Sequence, residues 1–240
     1  MTIGVLIGAG EVATASAVHL RGTVDRIVAL DRDQARLDQL GETLGPTTST
    51  VLGDINAETT WASLSAAIRR DEGEIKWLLL TAGVGARGTL NEVPAASIRA
   101  VFATNAVSPI LLLQVLLRDC AWQPGARIVG LGSISARRPL PQRTVYGASK
   151  AALEAFLTAL GVELAARDII VNVVSAGVVD SAFIAATRED LAVWARARVP
   201  AGRLGAVDEI AELIAYLAAG APKYVASARV VIDGGAEALG

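Results

Sequence analysis

The sequence predicts a doubly wound α/β fold, in which a parallel sheet of about seven strands has helices on both faces. Short β-branched runs alternate with helical stretches along the chain, and the predicted strands are apolar with almost no alternation. A glycine-rich turn joins the first strand to the first helix. The 240 residues are 52% hydrophobic and show no linker, so we expect one domain over residues 1–240.

The predicted elements alternate in chain order. The candidate strands are Ile3–Ile7, Arg26–Leu30, Ser49–Leu52, Lys76–Thr81, Arg127–Leu131, Ile169–Val174 and Arg229–Ile232. The candidate helices are Glu11–Arg21, Asp33–Leu44, Thr59–Arg70, Ala96–Leu117, Tyr146–Ala166 and Asp208–Leu217. Between the sixth strand and the last helix, residues 178–203 predict an irregular lid. Its apolar residues either close on a hydrophobic substrate or pack the lid on the body: Phe183, Leu191 and Trp194.

Composition excludes several classes of protein. The 22 basic and 24 acidic residues give a net charge of −2, which argues against a nucleic-acid platform. Cys120 is the single cysteine, so neither an intrachain disulfide nor a cysteine zinc site is expected, and we predict no metal. His19, the only histidine, lies away from every motif and predicts a surface or packing role.

The apolar segments of the chain do not resemble targeting or membrane segments. The apolar N-terminus lacks a preceding Lys or Arg and is interrupted by Gly8 and Gly10, unlike a signal peptide. The charge-free stretch Ala100–Leu117 contains Asn105 and other polar residues, which predicts a buried or interface helix. We therefore expect a cytoplasmic protein without membrane contact.

The turn after the first strand matches the dinucleotide-binding pattern G-x-G-x-x-G/A. Gly8 permits a tight turn, Gly10 lets the backbone approach a pyrophosphate, and Ala13 allows close packing of helix on strand. The alternative is a glycine-rich turn that holds no ligand. The strand–turn–helix context favours a dinucleotide.

Acidic residues near this turn favour NAD over NADP. Asp31 ends the second strand, where a carboxylate accepts hydrogen bonds from the adenosine ribose hydroxyls and repels a 2′-phosphate. Glu11 adds a second negative charge inside the glycine turn. Arg32 is the opposing signal, because a guanidinium can pair with a 2′-phosphate.

Tyr146 and Lys150 form the first candidate catalytic pair. Their spacing of four residues places a phenol and an ammonium on one face of a helix. A phenol is a poor base at neutral pH, but a nearby ammonium and a positively charged nicotinamide both lower its pKa. The pair therefore indicates acid–base chemistry on a hydroxyl or carbonyl group.

Over nearly its whole length the sequence resembles the short-chain dehydrogenase/reductase family. Ser133 lies thirteen residues before Tyr146, the spacing of that family, and Asn105 matches its fourth catalytic position. Other matching segments are Leu52-Gly53-Asp54-Ile55, Thr81-Ala82-Gly83, Gly202-Arg203-Leu204-Gly205 and Val231-Ile232-Asp233-Gly234-Gly235. Ala176-Gly177 stands where the family has Pro-Gly, and Ser181 where it commonly has Thr.

The resemblance implies a single-domain Rossmann fold and hydride transfer between a carbinol carbon and nicotinamide. Tyr146 would exchange the proton, Ser133 would bind the substrate oxygen, Lys150 would hold the nicotinamide ribose, and Asn105 would support a water chain. The implied cofactor-binding residues are Gly8, Gly10, Glu11, Val12, Asp31, Arg32, Asp54, Ile55, Ala82, Gly83, Tyr146, Lys150, Gly177, Val179 and Ser181.

The substrate is predicted less sharply. The candidate pocket residues are Val84, Ser135, Leu140, Gln142 and Phe183. Arg137, Arg138 and Arg143, with Arg87 nearby, either clamp an anionic substrate or form a solvated loop and subunit salt bridges. Pocket shape decides which alcohol or ketone enters.

The leading hypothesis is an NAD-dependent enzyme acting on a small or cyclic secondary alcohol or ketone. The alternatives are an NADP-dependent biosynthetic ketoreductase and a non-catalytic dinucleotide sensor, and the complete catalytic set argues against the sensor. A halohydrin-type lyase is disfavoured because Lys150 and the glycine turn are present. The Ala- and Leu-rich helices Ala100–Leu117 and Ala151–Ala166 match those that pair between subunits in the family, so we expect a homo-oligomer, a dimer or a tetramer.

Overall fold

The computed structural model describes residues 1–70, 72–138 and 140–239, and its described strands form one seven-stranded parallel sheet. The strand order is β3-β2-β1-β4-β5-β6-β7. The strands are β1 (Thr2–Ile7), β2 (Arg26–Asp31), β3 (Thr48–Leu52), β4 (Glu74–Leu80), β5 (Ala121–Ser133), β6 (Ile170–Ala176) and β7 (Ala228–Ile232). The predicted doubly wound α/β fold is confirmed.

Eight α-helices surround the described sheet. They are α1 (Glu11–His19), α2 (Gln34–Leu44), α3 (Glu58–Arg69), α4 (Ala95–Phe102), α5 (Ser108–Asp119), α6 (Thr144–Leu164), α7 (Arg188–Arg198) and α8 (Val207–Ala215). Side chains of α1, α2 and α8 form one apolar core with the sheet, including Leu37, Leu40 and Ile214. Side chains of α3, α5 and α6 form a second core, including Leu64, Leu112 and Leu157. Burial of both faces explains why the strands read as continuous apolar runs.

The predicted helix Ala96–Leu117 is interrupted. Between α4 and α5 the chain makes a π-helical turn over Ala103–Val107, which contains Asn105. Such insertions widen the helix by one residue and are frequent at functional sites. The hydrophobic period alone does not reveal the insertion, because the apolar residues continue through it.

The lid is helical and not irregular as predicted. A 3₁₀ helix over Ala182–Thr187 leads into α7, and Trp194 packs against Ala195 and Val199 in a small cluster of its own. Phe183 is 53% exposed and lines the main cavity, so the two aromatic side chains serve different purposes. The helix has acidic residues in its first turn and arginines in its last, a pattern that favours a helix.

One helical stretch, Ala95–Asp119, is long and apolar enough to cross a membrane by length and composition. Half of its most apolar window is buried inside the protein. That burial is typical of a core helix, and the sequence predicted a buried or interface helix here.

The position of the main cavity follows from the strand order. The order reverses between β1 and β4, so the connections that leave the carboxyl ends of these strands turn in opposite directions. A crevice opens at such a point, and both the glycine turn and Thr81-Ala82-Gly83 border it.

Candidate active site

A cavity of about 910 Å³ lies in this crevice and has two chemically different ends. The loop end is lined by Gly8, Gly10, Asp31 and Arg36, and the tyrosine end by Ser133, Arg143, Tyr146 and Lys150. All the predicted cofactor residues line the cavity. Its size and elongated lining fit an extended ligand with a substrate beside it.

The glycine turn leaves room for a pyrophosphate at the start of α1. Gly8 has φ +96°, and a Cβ there would lie 2.8 Å from the backbone nitrogen of Ala82. Gly10 precedes α1, and no atom lies within 4 Å of where its Cβ would be. The open backbone at a helix N-terminus is the arrangement that binds phosphates, so these residues fit a dinucleotide.

Asp31 is held at the end of β2 by two backbone groups. Its Oδ2 accepts a hydrogen bond from the nitrogen of Ala9 at 2.7 Å, and its Oδ1 accepts one from the nitrogen of Asp33 at 2.9 Å. Each carboxylate oxygen can accept a further hydrogen bond. The Asp31 carboxylate is therefore held in one orientation and can still accept hydrogen bonds from the hydroxyls of a ribose.

Three polar side chains beside Asp31 line the same end of the cavity: Arg32, Arg36 and Gln39. Arg32 was predicted from the sequence to bind the cofactor, whereas Arg36 and Gln39 were not predicted. Their spacing of three residues on α2 places them on one helix face, which was the available signal. Arg36 lies 3.5 Å from Asp33, so its charge is partly balanced.

Glu11 connects the glycine turn to the lid. Its Oε2 accepts a hydrogen bond from the backbone nitrogen of Ala182 at 2.9 Å, at the start of the 3₁₀ helix. The sequence treated Glu11 only as a negative charge near the phosphates. In the fold it also ties two cavity walls together across 171 residues of chain.

At the tyrosine end, burial dominates the chemistry of Tyr146. Burial raises the pKa of its phenol, whereas a hydrogen bond with Ser133 and the positive charge of Arg143 act to lower that pKa. The guanidinium of Arg143 is therefore a cation that acts on the phenol. The expectation that the Lys150 ammonium lowers this pKa as well stays a prediction.

Lys150 is buried one helical turn beyond Tyr146 on α6. Its Nζ donates a hydrogen bond to the carbonyl oxygen of Leu131 at 2.8 Å. Burial lowers the pKa of this amine to about 8, and the negative charge of Glu154 partly opposes that shift. Nζ borders the open cavity, where it can donate further hydrogen bonds.

Glu154 was missed by the sequence analysis although it continues the same helix face. Its side chain is 4% exposed. Oε1 accepts from the backbone nitrogen of Ser133 at 3.1 Å, and Oε2 accepts from Arg229 Nε at 3.0 Å. A charge at the i+4 position after Lys150, among Ala and Leu, was the signal that could have found it. The carboxylate holds the end of β5 where Ser133 is presented.

Asn105 lies behind the cavity wall and does not line the cavity. Its Oδ1 accepts from the nitrogen of Val84 at 2.8 Å, and its Nδ2 donates to the oxygen of Val84 at 2.9 Å and to Ser149 Oγ at 3.0 Å. The π turn brings this amide to the loop after β4. Its role in a water chain stays a prediction.

The predicted substrate residues divide. Val84, Ser135, Leu140 and Phe183 line the cavity, whereas Gln142 does not. The prediction for Gln142 is corrected because its side chain turns away, and its Oε1 accepts a hydrogen bond from Arg87 Nε at 3.0 Å. Leu191, one of the lid residues that the sequence offered either for closing on a substrate or for packing the lid, lines the cavity, and Ile184 adds apolar lining that the sequence did not predict.

The predicted arginine cluster is also divided. Arg137 is 64% exposed and lies 3.9 Å from Glu154, and Arg138 donates a hydrogen bond to the oxygen of Ala236. Neither lines the cavity. Arg143 alone of the three does, so a clamp of three arginines is not formed.

His19 lies away from the cavity and pairs with Asp208 at 2.7 Å.

Several known reductases are similar to this chain over most of its length. The family model described as enoyl-(acyl carrier protein) reductase matches residues 7–237. The 3-oxoacyl-(acyl-carrier-protein) reductase of Escherichia coli (strain K12) is 26% identical over 223 residues, which are 93% of this chain and 91% of that protein. Carbonyl reductase family member 4 of Xenopus tropicalis is 30% identical over 76% of this chain and 75% of its own.

A solved structure agrees with the fold along almost the full chain. The glucose/ribitol-type short-chain dehydrogenase/reductase of Brucella melitensis superposes with a TM-score of 0.90 at 26% identity. The superposition covers 98% of this chain and 96% of that one.

Proposed function

The chain belongs to the short-chain dehydrogenase/reductase family, and from that premise we propose that it transfers a hydride between NAD and a small secondary alcohol or ketone. In this proposal residues 1–240 act as one catalytic domain. Hydride transfer by a nicotinamide dinucleotide fits the family, and the choice of NAD and of substrate is our own inference.

One observation carries the proposal. Tyr146 lies with Ser133 and, one helical turn away, Lys150 at one end of a cavity whose other end is the glycine turn. A proton-transfer group and a phosphate cradle in a single cavity are what a dinucleotide oxidoreductase requires. A dinucleotide sensor would have no use for the phenol.

The residues of the loop end would hold the dinucleotide. The glycine turn fits the pyrophosphate, Asp31 the adenosine ribose, and Asp54-Ile55 the adenine region. When bound, the nicotinamide ring donates or accepts the hydride. Gly83 keeps this path open, since a Cβ there would lie 3.3 Å from Lys150 Nζ and 3.4 Å from Asn105 Oδ1.

The residues of the tyrosine end would handle the proton. Because burial raises the pKa of Tyr146, its phenol carries a proton at neutral pH and can donate it to a ketone oxygen. Ser133 would hydrogen-bond the same oxygen, since β5 and Glu154 present it to the cavity. In the oxidising direction the phenolate accepts the alcohol proton, so oxidation should speed up as pH rises.

A second candidate is an NADP-dependent ketoreductase. Arg32 and Arg36 at the loop end favour it, because guanidinium groups bind phosphate in a bidentate manner. Asp31 opposes it, because its carboxylate repels a 2′-phosphate. We propose NAD because Asp31 is fixed by two backbone hydrogen bonds, whereas Arg36 is partly neutralised by Asp33.

The experiment is a screen of ketones and secondary alcohols with NADH, NADPH, NAD and NADP. We expect turnover of some members with a higher kcat/KM for the non-phosphorylated cofactors. A higher kcat/KM for NADPH would favour the second candidate. Absence of turnover, with dinucleotide binding retained in calorimetry, would favour a sensor.

We also propose a homo-oligomer in the cytoplasm. Val107 at the end of the π turn, Leu111 on α5 and Val162 on α6 are exposed apolar side chains on the helices predicted to pair between subunits. Light scattering should give the mass of a dimer or tetramer, and a 24.8 kDa particle would contradict this.

A further inference from the structure

We propose that Arg143 binds an anionic group on the substrate, a carboxylate or phosphate close to the reacting carbon. The inference rests on the proposed function, because it assigns a substrate class to the same cavity. It is carried by the placement of one guanidinium, its lack of protein partners and the apolar lining around it.

Arg143 is a half-buried cation without a counter-charge. It precedes α6 and lines the tyrosine end of the cavity. Among residues 1–70, 72–138 and 140–239, no side chain or backbone group forms a hydrogen bond or ion pair with its guanidinium. Burial lowers the pKa of Arg143, which shows that the protein surroundings disfavour its charge. A partly desolvated guanidinium with five free donors is unusual unless a ligand satisfies them.

A second arginine makes this imbalance of charge larger. Arg87 also lowers the pKa of Arg143 by repulsion, whereas Tyr146 acts to raise it. Arg87 is exposed and donates to Gln142, so it adds a positive potential without entering the cavity. The carboxylates among the described lining residues belong to the loop end: Glu11, Asp31 and Asp54. Arg143 and Arg87 therefore give the tyrosine end a positive potential that attracts an anion.

The backbone around Arg143 is fixed, so the guanidinium is presented from a defined point. The nitrogen of Gly88 donates to the oxygen of Gln142 at 3.1 Å, and Gln142 has φ +61°, a left-handed conformation rare for a residue with a side chain. The nitrogen of Gly147 donates to the oxygen of Arg143 at 2.7 Å. Strained residues whose flanking backbone is held by hydrogen bonds cluster at functional sites, where they fix the position of a functional side chain.

The remaining lining restricts the kind of substrate. Apart from the proposed catalytic groups and Ser135, the cavity residues of the predicted pocket and the lid are mainly apolar: Val84, Leu140, Phe183, Ile184 and Leu191. Lys150 is the other cation that lines this end, and one of its three donors is taken by the oxygen of Leu131. An oxo or hydroxy acid with a short apolar part would match one guanidinium and this wall.

Arg143 also limits how far the anion lies from the reacting carbon. It is three residues before Tyr146, and its charge acts on the phenol, so the two groups are neighbours. A substrate oxygen on Tyr146 and an anion on Arg143 therefore belong to one short molecule. We expect the best substrates to carry the two groups a few bonds apart.

The first test compares acids with their own methyl esters. With the preferred cofactor, kcat/KM is measured for 2-, 3- and 4-oxo acids of equal chain length, for their esters, and for a hydroxyketone phosphate. We expect at least a tenfold preference for one anion over its neutral counterpart, and the carboxylate and phosphate arms identify which anion is used. Esters that perform as well as acids would overturn the inference.

The second test removes the guanidinium. Arg143→Gln should reduce the acid-to-ester ratio of kcat/KM to about one, mainly through a higher KM for the acid, and Arg143→Lys should restore part of it. The ratio removes any effect of the variant on Tyr146 that both substrates share. Arg137→Gln is the matched control, since it removes the same charge from an exposed side chain outside the cavity and should leave the ratio unchanged. An unchanged ratio in Arg143→Gln contradicts the inference.

A binding measurement separates this inference from the proposed function. Butyrate should raise the melting temperature of the cofactor-saturated wild type and of Arg137→Gln, but not that of Arg143→Gln. If the substrate panel shows no turnover but this pattern holds, the proposed function fails and the anion site stands. Equal shifts in all three proteins, or none in the wild type, overturn the anion site.

Discussion

At the loop end of the cavity the carboxylates of Asp31 and Asp33 stay at least partly exposed and are held by backbone groups of the segment from β1 to α2, whereas at the tyrosine end Lys150 and Glu154 are buried. Asp31 binds Ala9 and Asp33, and Asp33 caps α2 two residues later. Glu154 binds Arg229 across 75 residues, and Lys150 is buried against β5. Forming the loop end therefore costs little desolvation energy, whereas forming the tyrosine end requires charged groups to be buried.

This difference predicts where substitutions cost stability and where they change ligand choice. Charged groups at the tyrosine end are desolvated in the native state. Substituting them should therefore change the free energy of unfolding and its dependence on pH. Groups at the loop end keep much of their hydration, so altering them mainly changes binding.

The largest stability effect is expected for Arg229→Met. The substitution leaves the buried Glu154 carboxylate without its guanidinium and should lower the free energy of unfolding by about 3–5 kcal/mol. Urea denaturation measures it. Adding Glu154→Gln in the same chain keeps the acceptor for Ser133 and removes the charge, so it should recover most of the loss. A loss below about 1 kcal/mol would mean that the ion pair of Arg229 with Glu154 contributes no more to stability than an exposed pair does.

Lys150→Met should remove a pH dependence of stability. The native pKa is about 8 against 10.5 for the free side chain, so between these values the unfolded chain binds a proton that the native protein has lost. The free energy of unfolding contributed by this group therefore rises with pH across that window, by about 3 kcal/mol.

The check is the difference between wild-type and variant stability from pH 7 to 10.5. Lys223→Met is the control, because that lysine is exposed, pairs with Asp168 and should keep the wild-type profile. Parallel curves for wild type and Lys150→Met would show that Lys150 is not desolvated.

At the loop end, Asp31→Ser should change cofactor choice with little effect on stability. Loss of the carboxylate removes a ribose acceptor and a charge that repels phosphate, so the NADP-to-NAD ratio of kcat/KM should rise about 100-fold, equivalent to about 3 kcal/mol. Asp38→Asn is a control on the exposed part of α2. An unchanged ratio would remove Asp31 as the determinant.

The smallest effect is expected for Asp33→Ala. The Asp33 side chain accepts from the nitrogens of Ala35 and Arg36 at 3.0 and 3.4 Å, and losing this cap should cost about 1 kcal/mol. Turnover at saturating cofactor should stay unchanged. Asp33→Asn should retain most of the stability, and a loss above about 3 kcal/mol would show that this end is not locally built.

The same contrast explains what the sequence could predict. The glycine turn and Asp31 were found because their meaning depends on a strand, a turn and a helix that are contiguous in the chain. The strands were found because burial on both sheet faces leaves continuous apolar runs. The partnership of Glu154 with Arg229 depends on which strand lies beside β6, which no local pattern specifies.

Arginines illustrate the limit most clearly. Arg137, Arg138 and Arg143 look alike in the sequence, yet one is exposed beside Glu154, one binds a backbone carbonyl and one enters the cavity. Gln142, next to Arg143, was predicted to face the substrate and instead binds Arg87. The backbone conformation of this loop determines where each side chain points. The amino-acid composition of the loop does not specify that conformation.

The most direct measurement of the central claim is turnover and NAD binding on one preparation of Tyr146→Phe. Loss of the hydroxyl should lower kcat by about 1,000-fold while the dissociation constant for NAD changes less than about threefold, because the loop end is untouched. Tyr216→Phe, an exposed tyrosine outside the cavity, should match the wild type in both values. A Tyr146→Phe protein that retains substantial kcat would contradict the account.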